Sequence, residues 1–390
     1  MVVIQKVSFR NFKAYRSLDL ELEPFTVLVG PNASGKTTLL QGLHLATGLA
    51  GNREGVLSEP VERSALSSYG SKEPTDWRLS GVWGGTAGIV QVSVEPLAKA
   101  ATMTGQWAGV NFQAKMGLDE PTAGQLVIKQ MFSKSPDDAV PPDFQDALLA
   151  TSILRFEAQA LAKASYSEEQ IPEIDGRGDG LASLLAYLKL SQDEVFDGIE
   201  QALKQIVPSV RRIRIERAAV ERTTLRTIAL DEQRHQVPEQ QTLWGNRVVL
   251  DMRGAKGVAA DSAGEGTLMV LGLLTVLMGP SKPRLVLLDD IELNLHPVAQ
   301  GKLIETLRTL QKRDPELQII ATSHSPFILN YLKPEEVRMT FLAENGFARC
   351  EKLTAHPEFE RWKDLMSPGE FWSTVGESWV EKVETPAGNE

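Results

Sequence analysis

The stretch Val27-Leu28-Val29-Gly30-Pro31-Asn32-Ala33-Ser34-Gly35-Lys36-Thr37-Thr38 constrains this chain more than any other, because a short apolar run enters a glycine-bounded turn that closes on Lys-Thr-Thr. The spacing is G-x-x-x-x-G-K-T, which demands a strand, a tight loop and a helix in immediate succession. Gly30 and Gly35 let the backbone wrap until successive N–H groups, from Asn32 onward, face one concavity, where they bind phosphate oxygens without needing side-chain charge. Lys36 adds a point charge for the outer phosphates, and Thr37 a hydroxyl suited to Mg2+, a hard cation that keeps most of its waters. The following helix, roughly Lys36 to Leu49 with Leu39, Leu40, Leu43 and Leu45 on its apolar side, supplies the positive end of its dipole. An ordinary Gly/Ser turn is the alternative, and the strand–turn–helix context on both flanks weighs against it.

With 390 residues, 42% of them hydrophobic, the chain can bury one large core with a sizeable insertion. A formal net charge of −10 argues against a surface coated for nucleic acid and confines any DNA contact to a local patch. The single cysteine, Cys350, excludes an internal disulfide framework and a cysteine-based zinc site, so a reducing, cytoplasmic setting is expected. No apolar run reaches the length of a membrane span, and the alternating Val7-Ser8-Phe9-Arg10 pattern near the start is not that of a signal peptide.

Along the chain, residues 2–12 and then Leu18, Leu20 and Leu22 alternate with period two, which predicts an edge hairpin, while Phe25–Val29 reads as a buried central strand. Lys13, between the first two strands, either reaches the nucleotide or is a solvated loop lysine. Arg78–Trp83 and Ile89–Val94 are predicted strands around Gly84-Gly85. Trp77, Trp83 and Trp107 could stack on an adenine, though packing on a core edge is the reading favoured. Residues 97–240 read as a mainly helical insertion, with helices at about 143–164, 181–190 and 192–206 and a capping box at Ser191–Glu194. Asp175-Gly176-Arg177-Gly178-Asp179-Gly180 resembles a calcium loop only superficially, since Arg177 takes a ligand position and no glutamate closes the pattern, so a flexible loop is expected.

Arg211, Arg212, Arg214, Arg217, Arg222 and Arg226 form the densest basic stretch, with a basic strand at 210–217. A solvated strand face paired with Glu216 and Glu221 is favoured over a DNA-backbone contact. Further on, Asp261-Ser262-Ala263-Gly264-Glu265-Gly266 precedes the apolar helix candidate Thr267–Met278, a second place where free N–H groups and a hydroxyl gather. Leu285-Val286-Leu287-Leu288 ends in Asp289 and Asp290, suited to a metal's outer shell and to an attacking water. Gln318–Thr322 ends in Ser323-His324-Ser325-Pro326, which places a histidine at the carboxyl edge of an α/β sheet, where ligands bind.

The order GPNASGKTT, SAGEG, LVLLDDIELNLHP and IIATSHSP resembles the ABC-type ATPase head of the RecF, SMC and OLD-like group, and among its members the small bacterial AAA-type ATPases of anti-phage defence operons. The resemblance implies an α/β fold: an ABC-type P-loop head with an antiparallel β lobe, a central, mostly parallel sheet and a largely helical insertion. The core is expected at 1–96 and 241–353, and a C-terminal helical segment at 354–390. By position, it implies that Lys36 and Thr37 bind phosphate and Mg2+, that Asp289 is the second metal-side element, that Asp290 stands where the catalytic acid sits, and that His324 is the switch histidine. Asn11-Phe12-Lys13 matches a loop that touches the nucleotide. Ser262, Gly264, Glu265 and Gly266 match the signature that, in this family, contacts the γ-phosphate bound by the other protomer. ATP and Mg2+ are the implied cofactors, and a homodimer or higher oligomer through the ATP sites the implied assembly.

Two departures shape the expectation. Asp290 replaces the family's usual glutamate with a side chain one methylene shorter, which predicts slow turnover. The signature lacks the transporter-like Leu-Ser-Gly-Gly-Gln, which argues against a transporter; Gln91 and Gln106 are the candidates for the glutamine that usually follows the first lobe. Larger OLD-like proteins carry a nuclease domain after the switch histidine. Here Asn345-Gly346 marks a hairpin and Ser367-Pro368-Gly369-Glu370 a capped helix bearing Phe371, Val375 and Trp379, with no acidic cluster of that kind, so any nuclease or toxin effector is expected to be a separate chain. A RecF-like DNA-repair ATPase using Arg211–Arg226 and a barely hydrolysing, nucleotide-gated scaffold are the competing functions.

Overall fold

The computed structural model describes residues 4–51, 66–69, 71–95, 100–119, 127–133, 140–230, 233–292 and 294–375. The chain divides into two units, Met1–Ile153 with Pro283–Glu292 and Leu307–Glu390, and Leu154–Lys282 with Leu293–Thr306.

In the first unit, β1 (Ile4–Phe12) and β2 (Tyr15–Glu21) form the expected hairpin, and β3 (Phe25–Val29) leads into α1 (Lys36–Ala50). Strands β4 (Thr75–Trp83), β5 (Thr86–Val94), β6 (Ala100–Trp107), β7 (Val110–Asp119) and β8 (Val127–Ser133) then extend one antiparallel sheet in the order β2-β1-β4-β5-β6-β7-β8. The last three strands correct the expectation of a mainly helical segment from residue 97. Ala101, Met103, Phe112 and Ala114 are buried at alternate positions, a period of two. Positive φ at both Ala108 and Gly109, as at Gly84 and Gly85, gives the primed turn that suits a tight hairpin. Trp77 and Trp83 are buried, and Trp107 donates Nε1–H to the Trp83 carbonyl at 3.2 Å, so these rings serve the core.

One close approach ties α1 to this lobe. A Cβ on Gly42 would lie 2.6 Å from Phe9 Cζ, so only glycine lets the helix lie against the Phe9 and Phe12 rings, which meet edge to face at 5.6 Å. The predicted long helix at 143–164 is broken: α2 (Pro142–Leu149) gives way to β9 (Thr151–Leu154), an edge strand whose threonine and isoleucine suit a sheet better than a helix.

The second unit holds α3 (Ala158–Ala162), α4 (Leu181–Ser191), α5 (Asp193–Ile206), β10 (Val210–Leu230), β11 (Gln233–Met252), β12 (Ala255–Ala259) and α6 (Glu265–Met278). The expected capping box does not form, because α4 runs through Ser191 and α5 is preceded by Gln192, with no side-chain cap. Phe196, Ile199, Leu203 and Ile206 make the buried stripe of α5. Helix α6 is buried along most of its length, and Gly272 admits Leu161, whose Cδ2 would lie 2.6 Å from an added Cβ. The Asp175–Gly180 loop is closed on itself: Asp175 Oδ1 accepts the N–H groups of Arg177, Gly178 and Asp179 at 2.8–2.9 Å. The basic strand predicted at 210–217 is the start of a far longer ribbon, in which β10 and β11 pair antiparallel from Val210 with Met252 to Leu230 with Gln233.

Returning to the first unit, β13 (Leu285–Leu288), β14 (Gln318–Ser323), α8 (Pro326–Leu329), β15 (Val337–Leu342) and β16 (Ala348–Lys352) complete it; α7 (Pro297–Arg313) passes into it from the second. The six-stranded sheet has the order β16-β15-β3-β14-β13-β9, with β15, β3, β14 and β13 mutually parallel and β16 antiparallel. Strands β3, β13 and β14 are buried at every residue, as expected of central strands covered on both faces. Two short helices, α9 (Phe359–Trp362) and α10 (Pro368–Val375), follow. Ser367 and Glu370 form the predicted reciprocal cap, and Phe371 is buried against His356 and Phe359 at ring separations of 5.0 and 6.1 Å. That settles the docking of Phe371 onto its own core; the Val375 side chain and Trp379 lie outside the described residues.

Candidate active site

The parallel order β3, β14, β13 brings the carboxyl ends of three strands side by side, and the candidate site stands at that edge. Chain geometry shapes the loop after β3. Gly30 has φ 155° and a Cβ there would lie 2.1 Å from the Thr340 carbonyl oxygen; Ala33 (φ 63°) and Gly35 (φ 98°) are left-handed, the alternation that turns backbone N–H groups into a nest. Ser34 is pinned to β15 through Thr340 Oγ1 at 2.6 Å, and Tyr15 donates its hydroxyl to the Gly35 carbonyl at 3.2 Å. Burial pushes the Tyr15 phenol well above its ordinary value, so it stays a proton donor. Pro31 is half-buried, whereas Asn32 and Ala33 are exposed at the mouth and Thr38 is half-buried at the first turn of α1.

Lys36 is buried, and its Nζ donates to the carbonyls of Gly30 and Pro31 at 2.8 and 2.7 Å, arching over the loop. Thr37 Oγ1 lies 3.2 and 3.1 Å from the two carboxylate oxygens of Asp289. Two oxygens bound side by side to an octahedral Mg2+ are about 2.9 Å apart, so this pair has the separation and the oxygen chemistry for such an ion. Lys13 (φ 49°) donates to Gln41 Oε1 of α1 at 2.7 Å, which keeps it beside the helix that the loop opens.

Strands β13 and β14 are joined beyond their ends by successive hydrogen bonds. Thr322 Oγ1 donates to Asp289 Oδ1 at 2.7 Å and accepts the Asp290 N–H at 2.8 Å, and the Ile291 N–H meets the Thr322 carbonyl at 2.9 Å. Asp290 adopts φ 59°, a left-handed conformation that aspartate tolerates better than most residues. Its exposed carboxylate lies 3.7 Å from His324 Nε2, near enough for attraction and too far for a hydrogen bond. Thr322 and Glu292, whose Oε1 accepts the His324 N–H at 2.7 Å, are not among the residues the sequence points to; each stands two positions from a proposed group, but its partner lies 32 residues away along the chain. Gln91 and Gln106 lie within β5 and β6.

The structure thus gathers the Gly30–Thr38 loop, Asp289, Asp290 and His324 at one sheet edge of the first unit. Ser262, Gly264, Glu265 and Gly266 belong to the second. There Ser262 ends a 3-10 turn and bonds Asp261 Oδ1 at 3.0 Å, Gly264 precedes α6, and Glu265 accepts Asn294 Nδ2–H at 3.2 Å. Ser262, Gly264 and Glu265 are exposed and Gly266 is buried.

Residues 158–330 match a family model described as "AAA domain, putative AbiEii toxin, Type IV TA system", and residues 6–97 match another described as "AAA domain". A DNA replication and repair protein RecF from Roseiflexus castenholzii is 40% identical over 68 residues, 17% of each chain. An OLD nuclease from Thermus scotoductus is 39% identical over 46 residues, 12% of this chain and 9% of the nuclease. The matched stretches therefore span less than a fifth of these curated relatives. Across almost the whole chain the fold is similar to an SMC head solved with the C-terminal winged-helix domain of ScpA (TM-score 0.55, 12% identity, 90% of this chain and 97% of that one). It is also similar to an Smc head with an extended coiled coil, bound to the C-terminal domain of ScpA derived from Pyrococcus furiosus (TM-score 0.54, 11% identity, 93% and 99%). With the phosphate loop, the paired aspartates and the histidine on one sheet edge, the chain has the fold of an SMC-type head and is similar, over these stretches, to the ABC-type ATPase heads of the RecF and OLD group.

Proposed function

We propose that this protein binds ATP with Mg2+, closes into a homodimer around the nucleotide, and hydrolyses it slowly, acting as a conformational switch on a separately encoded effector. The observation that carries this reading is the convergence of Thr37 on Asp289 at 3.1 Å and of Asp290 on His324 at 3.7 Å where three adjacent strands end. In this reading the loop N–H groups of Gly30–Thr38 and the Lys36 ammonium hold the phosphates, Lys36 exchanging its carbonyl partners for phosphate oxygens. Thr37 and Asp289 would hold Mg2+, which supplies charge neutralisation on the phosphates when bound. Asp290 orients a water for in-line attack on the γ-phosphorus and takes its proton as the bond to the ADP oxygen breaks. His324 donates to the γ-phosphoryl oxygens that gain charge.

The exposed group Ser262–Glu265, on a turn that opens the long helix α6, supports a contact to the γ-phosphate held by a second copy. Such a contact makes closure depend on ATP rather than ADP, because only the triphosphate bridges both subunits. The effector reading, and with it a role in anti-phage defence, rests on the family model that carries a toxin–antitoxin description and on the nuclease named among the relatives.

Steady-state phosphate release tests the chemistry: Asp290→Asn, which the left-handed backbone accommodates as readily, is expected to lower turnover by on the order of 10²–10⁴. Unchanged turnover removes Asp290 from its role. A second reading, DNA binding, has one observation in its favour: Arg211, Arg212, Arg217 and Trp244 are exposed along the β10–β11 ribbon. Arg214, Arg222 and Arg247 are instead paired with Asp251, Glu168 and Glu216, which reduces the free positive charge. DNA-stimulated turnover with a steep salt dependence would favour that reading.

A further inference from the structure

The two groups proposed to act on ATP do not bond each other, so something else must set their spacing. Asp290 and His324 stand on separate loops, 3.7 Å apart at their nearest polar atoms, with both side chains exposed. Asp290 is also held in a left-handed conformation that a free chain would leave.

Three links join these loops, one after another along the chain. The Asp290 N–H meets Thr322 Oγ1, the Ile291 N–H meets the Thr322 carbonyl, and Glu292 Oε1 receives the His324 N–H at 2.7 Å. The first two fix the Asp290 side to the end of β14. Only the third reaches His324 itself, and it is a charge-assisted bond from a carboxylate, the stronger kind. Glu292 is half-buried, so the bond is partly shielded from competing water. Its other oxygen, Oε2, is fully enclosed with no hydrogen-bond partner among the described residues. Natural folds rarely leave a carboxylate oxygen in that state. The carboxylate is therefore retained at a cost to the fold, which is how a residue kept for registering a site differs from one kept for stability.

We propose that Glu292 is the positioning residue of this site: through the backbone of His324 it keeps the imidazole in register with the Asp290 carboxylate. The idea rests on the reading of Asp290 and His324 as the reacting groups, but its structural half can be measured without turnover.

In protein labelled with 15N-histidine, which has five histidines, the His324 amide is assigned through His324→Gln. Glu292→Ala is expected to move that amide proton upfield by more than the other histidine amides, whereas Glu292→Gln, which keeps a carbonyl acceptor but loses the charge, moves it clearly less. In turnover, the alanine variant is expected to lose about tenfold in kcat, the effect of a slightly misplaced group, with nucleotide Kd unchanged, and the glutamine variant to stay within about threefold of wild type. Should the alanine variant not fold, Glu292→Met fills the same volume without an acceptor and takes its place. An unmoved His324 amide in the variant lacking an acceptor, or wild-type kcat there, overturns the proposal, as does a glutamine variant as impaired as alanine. If the wild-type protein releases no phosphate, it is the ATPase reading that fails, and the amide shift alone decides the role of Glu292.

Discussion

Thr322 gives its hydroxyl proton to Asp289 at 2.7 Å while accepting the N–H of Asp290 at 2.8 Å, so one buried side chain fixes both aspartates that end β13. A residue with no direct part in the chemistry therefore holds one proposed functional carboxylate and the backbone that carries the other. Thr322→Val keeps the shape and removes both bonds. We expect a loss of about 1–3 kcal/mol in stability, read from denaturant unfolding, and about 10²-fold in turnover. A valine variant with wild-type turnover would mean that the aspartates are placed by their own strand alone.

Gly30 tests the loop. An added methyl would press to 2.1 Å from the Thr340 carbonyl on β15, a backbone atom that cannot swing aside. Gly30→Ala is expected to cost about 2–4 kcal/mol by forcing the loop off its bed, and to abolish the thermal shift that ATP produces in the wild-type protein. An alanine variant with an undiminished ATP-induced shift would show that the loop adapts.

A pH effect is expected far from this site. His356 is buried against Phe371 and accepts the Glu358 N–H at 3.0 Å through Nδ1, and burial pushes its pKa below the ordinary 6.5. A histidine whose folded pKa is depressed binds more protons when unfolded, so its contribution is fully present above pH 6.5 and is lost as pH falls below it. Acidification from neutrality should therefore loosen α10 before the core, seen as earlier amide exchange at Phe371. His356→Phe should flatten that dependence; an equally steep loss in the phenylalanine variant would assign it elsewhere.

How much of this was legible in sequence depends on the reach of each signal. The loop, β3, β13 and β14 could be read because their rules are local: glycine spacing, short apolar runs and chemistry at strand ends. Strands β6 to β8 were missed since Ala101, Met103 and Ala114 are small or flexible residues, ordinary in helices, and their alternation is stabilised only by the neighbouring strands. Similarly, the β10–β11 ribbon was seen only at its basic start, because β12 joins it only near Val249–Met252 and the rest is a two-stranded pair with no pattern beyond its register. Thr322 and Glu292 were invisible for a different reason. Their roles lie in contacts across 32 residues of chain, which no local spacing encodes.

The central claim is that ATP, and not ADP, joins two copies of this chain through the loop of one and Ser262–Gly266 of the other. Sedimentation velocity on Asp290→Asn with Mg2+ and either nucleotide tests it most directly, with Ser262→Arg added to the same background as the control. The account predicts a dimer with ATP, a monomer with ADP, and a monomer with either once Ser262 is replaced although nucleotide still binds. The same mass with ATP and ADP, or a tight ATP dimer despite the arginine, would contradict it.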